Sequence, residues 1–105
     1  MDSSRSIEMC AYLKHRFPND VLVDLRDPTT YSRGTVLDAI NVPYENLGAL
    51  YDLPSDRPVC VFCQTGDISR TAVELLLAAG YDAYELTGGY RAYLVGTFSG
   101  TFETA

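Results

Sequence analysis

Short apolar runs alternate along this chain with longer stretches of helical period, which predicts strands alternating with helices. Residues from about Ser6 to Arg16 predict a first helix, with Ser4 or Ser6 as N-cap and Pro18-Asn19 ending it. Val21-Leu22-Val23-Asp24-Leu25 predicts a short strand that ends in charge. Asp27-Pro28-Thr29-Thr30 opens a turn, and Thr30 to Arg33 predict a short helical turn. Ala39-Ile40-Asn41-Val42 predicts a second strand closed by Pro43. Tyr44 to Tyr51 predict a helix with Leu47, Leu50 and Tyr51 on one face. Pro54 and Pro58 then bracket a polar connection to a strand at Val59 to Phe62. Arg70 to Ala79 are apolar nearly all round and predict a well-buried helix, with Gly80 at its C′ position. Asp82 to Leu86 predict the last strand, and Gly88-Gly89 turn the chain into a final helix at Tyr90 to Val95. Residues 96–105 have no period and read as an irregular tail or linker, which leaves residues 1–95 as the domain; no internal repeat interrupts it.

Apolar strands alternating with helices imply an α/β fold with a mostly parallel sheet covered on both faces. In such sheets ligands bind outside the carboxyl ends of the strands. Three of those ends bear on function: Leu25-Arg26, Val42-Pro43 and Phe62-Cys63. One supplies an arginine and another a thiol.

The loop after Phe62 carries the chemistry. Cys63-Gln64-Thr65-Gly66-Asp67-Ile68-Ser69-Arg70 follows a buried strand and leads into an apolar helix. A cysteine opening such a loop faces backbone N–H groups and the positive end of the next helix. That environment favours the thiolate, which is the nucleophilic form. Gly66 suits a tight loop whose amides point inward. The alternative for Cys63 is a small hydrophobe packed at a strand end; the strand-loop-helix context favours the functional thiol.

Composition narrows the partners. The chain has 105 residues, enough for one core, and 47% of them are hydrophobic. A net charge of −6 argues against nucleic acid and against anionic membrane surfaces. No apolar run approaches the ~20 residues that cross a bilayer, and no apolar signal core follows Met1-Asp2-Ser3-Ser4-Arg5. These features predict a cytoplasmic protein.

Cys10, Cys60 and Cys63 make an odd number of cysteines, unlike a disulfide framework. Cys60 and Cys63 form a C-x-x-C, but redox pairs of that kind start at a helix, whereas Cys60 lies within a strand. Strand side chains alternate, so the two thiols point to opposite faces. A zinc site needs two further ligands, and Cys10 and His15 do not supply them at zinc spacing. Cys60 is therefore expected in the core and Cys10 on a helix at the core or boundary. His15, the single histidine, sits between Lys14 and Arg16, where solvation is the default, so no Cys-His dyad is argued.

The ordered set of motifs resembles the single-domain rhodanese (sulfurtransferase) family. It comprises Val23-Asp24-Leu25-Arg26, Tyr31, Gly34, Ala39-Ile40-Asn41-Val42-Pro43, Cys63-Gln64-Thr65-Gly66 with Ser69, Ala78-Ala79-Gly80-Tyr81, and Leu86-Thr87-Gly88-Gly89-Tyr90. The likeness runs from about Ile7 to Leu94. It implies a five-stranded, mostly parallel sheet with helices on both faces. It also implies a cysteine, here Cys63, that accepts sulfane sulfur as a persulfide and passes it to a thiol acceptor. Gln64, Thr65, Gly66, Asp67, Ile68, Ser69 and Arg70 then form the substrate cradle, and Asp24 and Arg26 brace the surrounding loops. An anionic, soft persulfide needs amide donors rather than a base, a metal or a cofactor.

The departures from that pattern also inform function. Ile68 stands where the family often has arginine, Asp67 adds negative charge, and Tyr93 stands where tryptophan is common. Gly34-Thr35-Val36-Leu37-Asp38-Ala39 lacks the family's usual histidine. Arg70, one turn into the helix, is the candidate substitute cation; a solvated helix arginine is the other reading. These changes predict weak use of thiosulfate and better use of polysulfide or a small persulfide. Cys63-Gln64 with Gly66, and Gly88-Gly89-Tyr90-Arg91 with Tyr93, resemble more narrowly the rhodanese domain joined to flavin-dependent CoA-disulfide or persulfide reductases. A fused or partner flavin reductase is thus an expected partner. Two alternatives belong to other classes. A phosphatase or arsenate reductase of the dual-specificity type needs an arginine one residue closer to the cysteine than Arg70, where this chain has Ser69. A non-catalytic binding or regulatory module stays open on the missing loop cation, although the retained Cys63 argues against it.

Overall fold

The computed structural model describes residues 5–64 and 67–99. The chain builds β1 (Ser6–Glu8), α1 (Met9–Lys14), β2 (Val21–Asp24), α2 (Pro28–Arg33), β3 (Ile40–Asn41), a 3₁₀ segment (Tyr44–Asp52), β4 (Val59–Phe62), α3 (Asp67–Ala78), β5 (Ala83–Thr87) and α4 (Gly89–Ser99). The strands form one five-stranded sheet in the order β1-β5-β4-β2-β3. Every pairing is parallel, with Val21 opposite Val59 in the β2/β4 pair and Val59 opposite Ala83 in the β4/β5 pair.

The alternation of strand side chains divides the core in two. Val21, Val23, Val59, Val61 and Ala83 point to one face, where Ala72, Val73 and Leu76 of α3 and Leu50 of the 3₁₀ segment cover them. Leu22, Cys60, Phe62 and Leu86 point to the other, against Met9 and Tyr12 of α1 and Tyr90 and Ala92 of α4. β2 and β4 are buried along their whole length, as central parallel strands require. The second face of the sheet therefore joins the first and last helices of the chain.

Four elements differ from their predicted form. The first helix starts at Met9, because Ser6–Glu8 pair with Glu85–Thr87 as an edge strand. Three residues are too few to display a strand period, so only the neighbouring strand selects this state. Ser4 lies outside the described residues, and the Ser6 hydroxyl donates to Glu85 at 2.7 Å instead of capping a helix. The segment Tyr44–Asp52 is 3₁₀ rather than α, with a break at Asn46. Its tighter turn keeps Leu50 buried and leaves Tyr51 exposed, off the predicted face. Helix α3 begins at Asp67, so Ile68 and Ser69 belong to its first turn rather than to a free loop. It is also less enclosed than its composition predicts, with Arg70, Thr71, Glu74 and Ala78 on the solvent side. Helix α4 continues to Ser99, beyond the predicted end at Val95 and into residues expected to be irregular; residues 100–105 lie outside the described residues.

Candidate functional site

The carboxyl ends of β2 and β4 meet at one edge of the sheet. There the Leu25 N–H donates to the Phe62 carbonyl at 2.8 Å and the Tyr44 N–H to the Leu25 carbonyl at 2.9 Å. Cys63 is the first residue beyond β4. Its side chain continues the Val59-Val61 row toward α3 and is 4% exposed. Cys60, three residues back and thus on the opposite row, is fully buried between the sheet, α1 and α4. Burial, reinforced by the charge of Asp20, pushes the Cys60 thiol up to about 12. None of the three cysteines is in a disulfide, and Cys10 is half-buried on α1.

The loop that leaves Cys63 is held from the other side by α4. The Tyr90 N–H donates to the Cys63 carbonyl at 2.9 Å and the Arg91 N–H to the Gln64 carbonyl at 3.3 Å. These are orphan donors of the first helical turn, so the start of α4 and the strand end satisfy each other. The approach requires Gly89: a Cβ there would lie 2.2 Å from the Cys63 carbonyl oxygen and 2.7 Å from that of Gln64. Gly89 also has a φ of +59°, which side-chain-bearing residues rarely adopt.

Asp24 and Arg26 form a buried pair at the end of β2. Arg26 Nη2 lies 2.7 Å from Asp24 Oδ2 and Nε lies 3.0 Å from Oδ1, so the contact is bidentate. Arg26 Nη2 also donates to the Gly34 carbonyl at 2.6 Å, and the Thr35 hydroxyl donates to Asp24 at 2.7 Å. The guanidinium stacks on the Tyr90 ring, 3.9 Å from its centroid, and Tyr93 stacks in turn on Tyr90 at 5.5 Å. The pair thereby ties β2 to the α2–β3 connection and to α4. Asn41 completes the tie through its side-chain amide, which donates to the carbonyls of Asp24 and Arg26 at 2.9 Å each.

Above Cys63 lies a cavity of about 270 Å³ lined by Arg26, Asp27, Thr30, Tyr44, Cys63, Gln64 and Ile68. A neighbouring cavity of about 270 Å³ shares Arg26, Thr30 and Gln64 with it and adds Arg33, Gly34, Tyr90 and Leu94. A cavity of about 580 Å³ lies at the opposite end of the sheet, where β2 begins, and has no cysteine among its described lining residues. Asp27 caps α2 by accepting from the Thr30 N–H at 3.1 Å and from the Thr30 hydroxyl at 2.6 Å. Those two hydrogen bonds hold its carboxyl below the usual range.

Cys63, Gln64, Ile68 and Arg26 thus meet at one cavity, with Asp24 directly behind Arg26. Thr65, Gly66 and the Asp67 side chain lie outside the described residues. Ser69 and Arg70 take another direction. Ser69 is buried with its hydroxyl 3.3 Å from Glu85, and Arg70 Nε lies 3.8 Å from the same carboxylate while its side chain stays 65% exposed. Arg70 is not among the residues lining the cavity, and the cation that does line it is Arg26. Sequence reasoning missed Glu85, a buried carboxylate that gathers Ser6, Ser69 and Arg70. Its signal was a charge on the same face of the strand as the buried Ala83. Thr30, Tyr44 and Arg33 were missed because segments after other strands deliver them. Among the described residues, no group of three or more His, Cys, Asp or Glu could hold a metal ion, and no helix is long and apolar enough to cross a membrane.

The family model for the Rhodanese-like domain matches residues 10–95. The chain belongs to the rhodanese-like family. Solved structures agree with that membership. A rhodanese homolog from the extremely thermophilic bacterium Thermus thermophilus is 32% identical over 84% of this chain and 99% of its own, with a TM-score of 0.62. A rhodanese-related protein from Thermoplasma volcanium is 26% identical over 87% of this chain and 91% of its own, with a TM-score of 0.79. CoADR-RHD of Bacillus anthracis, in reduced form, is 28% identical over 79% of this chain but only 15% of its own, with a TM-score of 0.69. The five-stranded parallel sheet of this rhodanese-like domain, flanked by helices on both faces, is the fold implied by its sequence motifs.

Proposed function

We propose that this rhodanese-like domain is a sulfurtransferase or persulfide carrier that moves sulfane sulfur through Cys63 to a thiol acceptor. The observation that carries the reading is the position of Cys63, at the carboxyl end of a central strand and on the wall of a cavity beside Arg26. In the first step the Cys63 thiolate attacks the outer sulfur of the donor. The new S–S bond makes the Cys63 persulfide, and the donor's S–S bond breaks with its electron pair leaving on the remainder, sulfite in the case of thiosulfate. In the second step an acceptor thiolate takes the outer sulfur and the electron pair returns to Cys63. Gln64 and Ile68 flank the sulfur on the cavity wall, and Asp24 and Arg26 hold its surroundings.

Donor choice follows from the cavity lining. Ile68 and Tyr44 make one wall apolar, and Asp27 adds a carboxylate. Arg26 is largely neutralised by Asp24. A dianion such as thiosulfate fits this lining poorly, so polysulfide or a small persulfide is the better donor. Three cysteines outside any disulfide suit a reducing cytoplasm. The match to a small part of CoADR-RHD supports a fused or partner reductase.

The test is intact mass after incubation with polysulfide. The protein should gain one sulfur atom; Cys63→Ser should abolish the gain, and Cys60→Ser and Cys10→Ser should retain it. An adduct that persists in Cys63→Ser would overturn the reading, and a wild-type protein that takes up no sulfur would favour a non-catalytic module.

A further inference from the structure

The cavity beside the Cys63 cavity is the part of this edge that sulfur uptake leaves unused. The two share Arg26, Thr30 and Gln64, so the second cavity adjoins the one that holds the sulfur. Among the described residues its lining contains two arginines and no acidic residue. The chain as a whole has a net charge of −6, so a cationic lining at this point runs against the general field. Arg33 closes the last turn of α2, is exposed, and makes no ion pair among the described residues. Arg26 uses Nε and Nη2 on Asp24 and Gly34 and leaves Nη1 without a hydrogen bond among the described residues. The remaining wall is apolar and aromatic, from Tyr90 and Leu94.

From this lining we infer that the second cavity is the acceptor subsite and that it selects a small thiol carrying a carboxylate. This rests on the persulfide reading of Cys63. The carboxylate sits on Arg33, the short carbon chain lies along Tyr90 and Leu94, and the sulfur reaches past Gln64 to the persulfide. A single carboxylate matches the one unpaired cation of this lining, whereas a phosphate dianion would leave excess negative charge beside Asp27. The acceptor thiol gives its proton to solvent, and its thiolate attacks the outer sulfur of the Cys63 persulfide. The bond from that sulfur to Cys63 breaks, the electron pair stays on Cys63, and the acceptor leaves as its persulfide.

The experiment starts from protein loaded with polysulfide and freed of excess donor. Loss of the added sulfur is followed by intact mass with 3-mercaptopropionate, 2-mercaptoethanol and cysteamine, compared at equal thiolate concentration. The anionic thiol should discharge the persulfide about threefold faster than the neutral one, and the cationic thiol slowest, as expected for one exposed charge pair. Arg33→Ala should bring the anionic-to-neutral ratio close to one, and Arg33→Glu should reverse the order. Arg57→Ala, which removes a cation from the opposite end of the sheet, should leave the ratio unchanged. Equal rates for the three thiols, or a preference indifferent to Arg33→Glu, would overturn the subsite. Failure to load sulfur at all would instead count against the persulfide reading.

Discussion

Cys60 and Cys63 belong to the same strand and its first loop residue, yet they occupy opposite chemical situations. Cys60 faces α1 and α4, is fully buried, and has Asp20 4.0 Å from its sulfur. Burial outweighs the opposing charge of Arg16, and the thiol is held protonated. Cys63 faces α3 at the point where the strand stops, and a cavity with a guanidinium on its wall opens beside it. The two residues differ by three positions and one pleat. What separates the two thiols is which face of a parallel sheet each points to, and whether the sheet has ended.

The most severe way to break the contrast is to push α4 off the loop. Gly89→Ala places a methyl group against two backbone carbonyls, so that backbone must shift to admit it. A loss of about 3 kcal/mol is expected from the overlap and the positive φ together. It should be seen as a lower melting temperature with loss of sulfur uptake at Cys63. A variant as stable as the wild type would mean that α4 does not fix the loop.

A second test acts on the Cys60 side alone. Burial holds Cys60 and Tyr12 protonated, with Tyr12 also donating to Asp20 at 2.6 Å. Both are acids whose folded values are raised, so their contribution is complete below the range in which the unfolded groups ionise. It is lost as pH climbs through the folded values. Stability should therefore fall above about pH 8.5, where a free thiol ionises. The Cys60 share should be roughly 2 kcal/mol by about pH 11. Chemical denaturation at stepped alkaline pH should give a shallower decline in Cys60→Ala than in the wild type. Identical slopes in the two proteins would place the alkaline transition elsewhere.

The smallest change sharpens the Cys63 side. Ile68 lines the cavity and packs on the α3-side core. Ile68→Arg adds a cation there without touching the Cys60 cluster, and should raise kcat/KM for thiosulfate about tenfold, the scale of one charge-assisted hydrogen bond. High wild-type activity on thiosulfate that this substitution leaves unchanged would refute the account of donor choice.

Much of this contrast was legible in the chain itself. Period-two alternation puts residues three apart on opposite faces, so Cys60 and Cys63 had to separate once Val59–Phe62 was a strand. The uninterrupted apolar runs of β2 and β4 required helices on both faces. Gly88-Gly89 marked a turn, and the ordered motifs carried the family. Those features depend on neighbours in sequence. What only the tertiary structure decided depends on distant ones. Ser6–Glu8 became a strand because β5 was there to pair with it. Arg70 turned to Glu85, which sits on a strand that follows α3 in the chain, and Arg26 took the place by the cavity. Gly89 is required because two carbonyls from another element approach it. Local propensity fixes the period of a segment, whereas contacts across the sheet decide which charge lines the cavity beside Cys63.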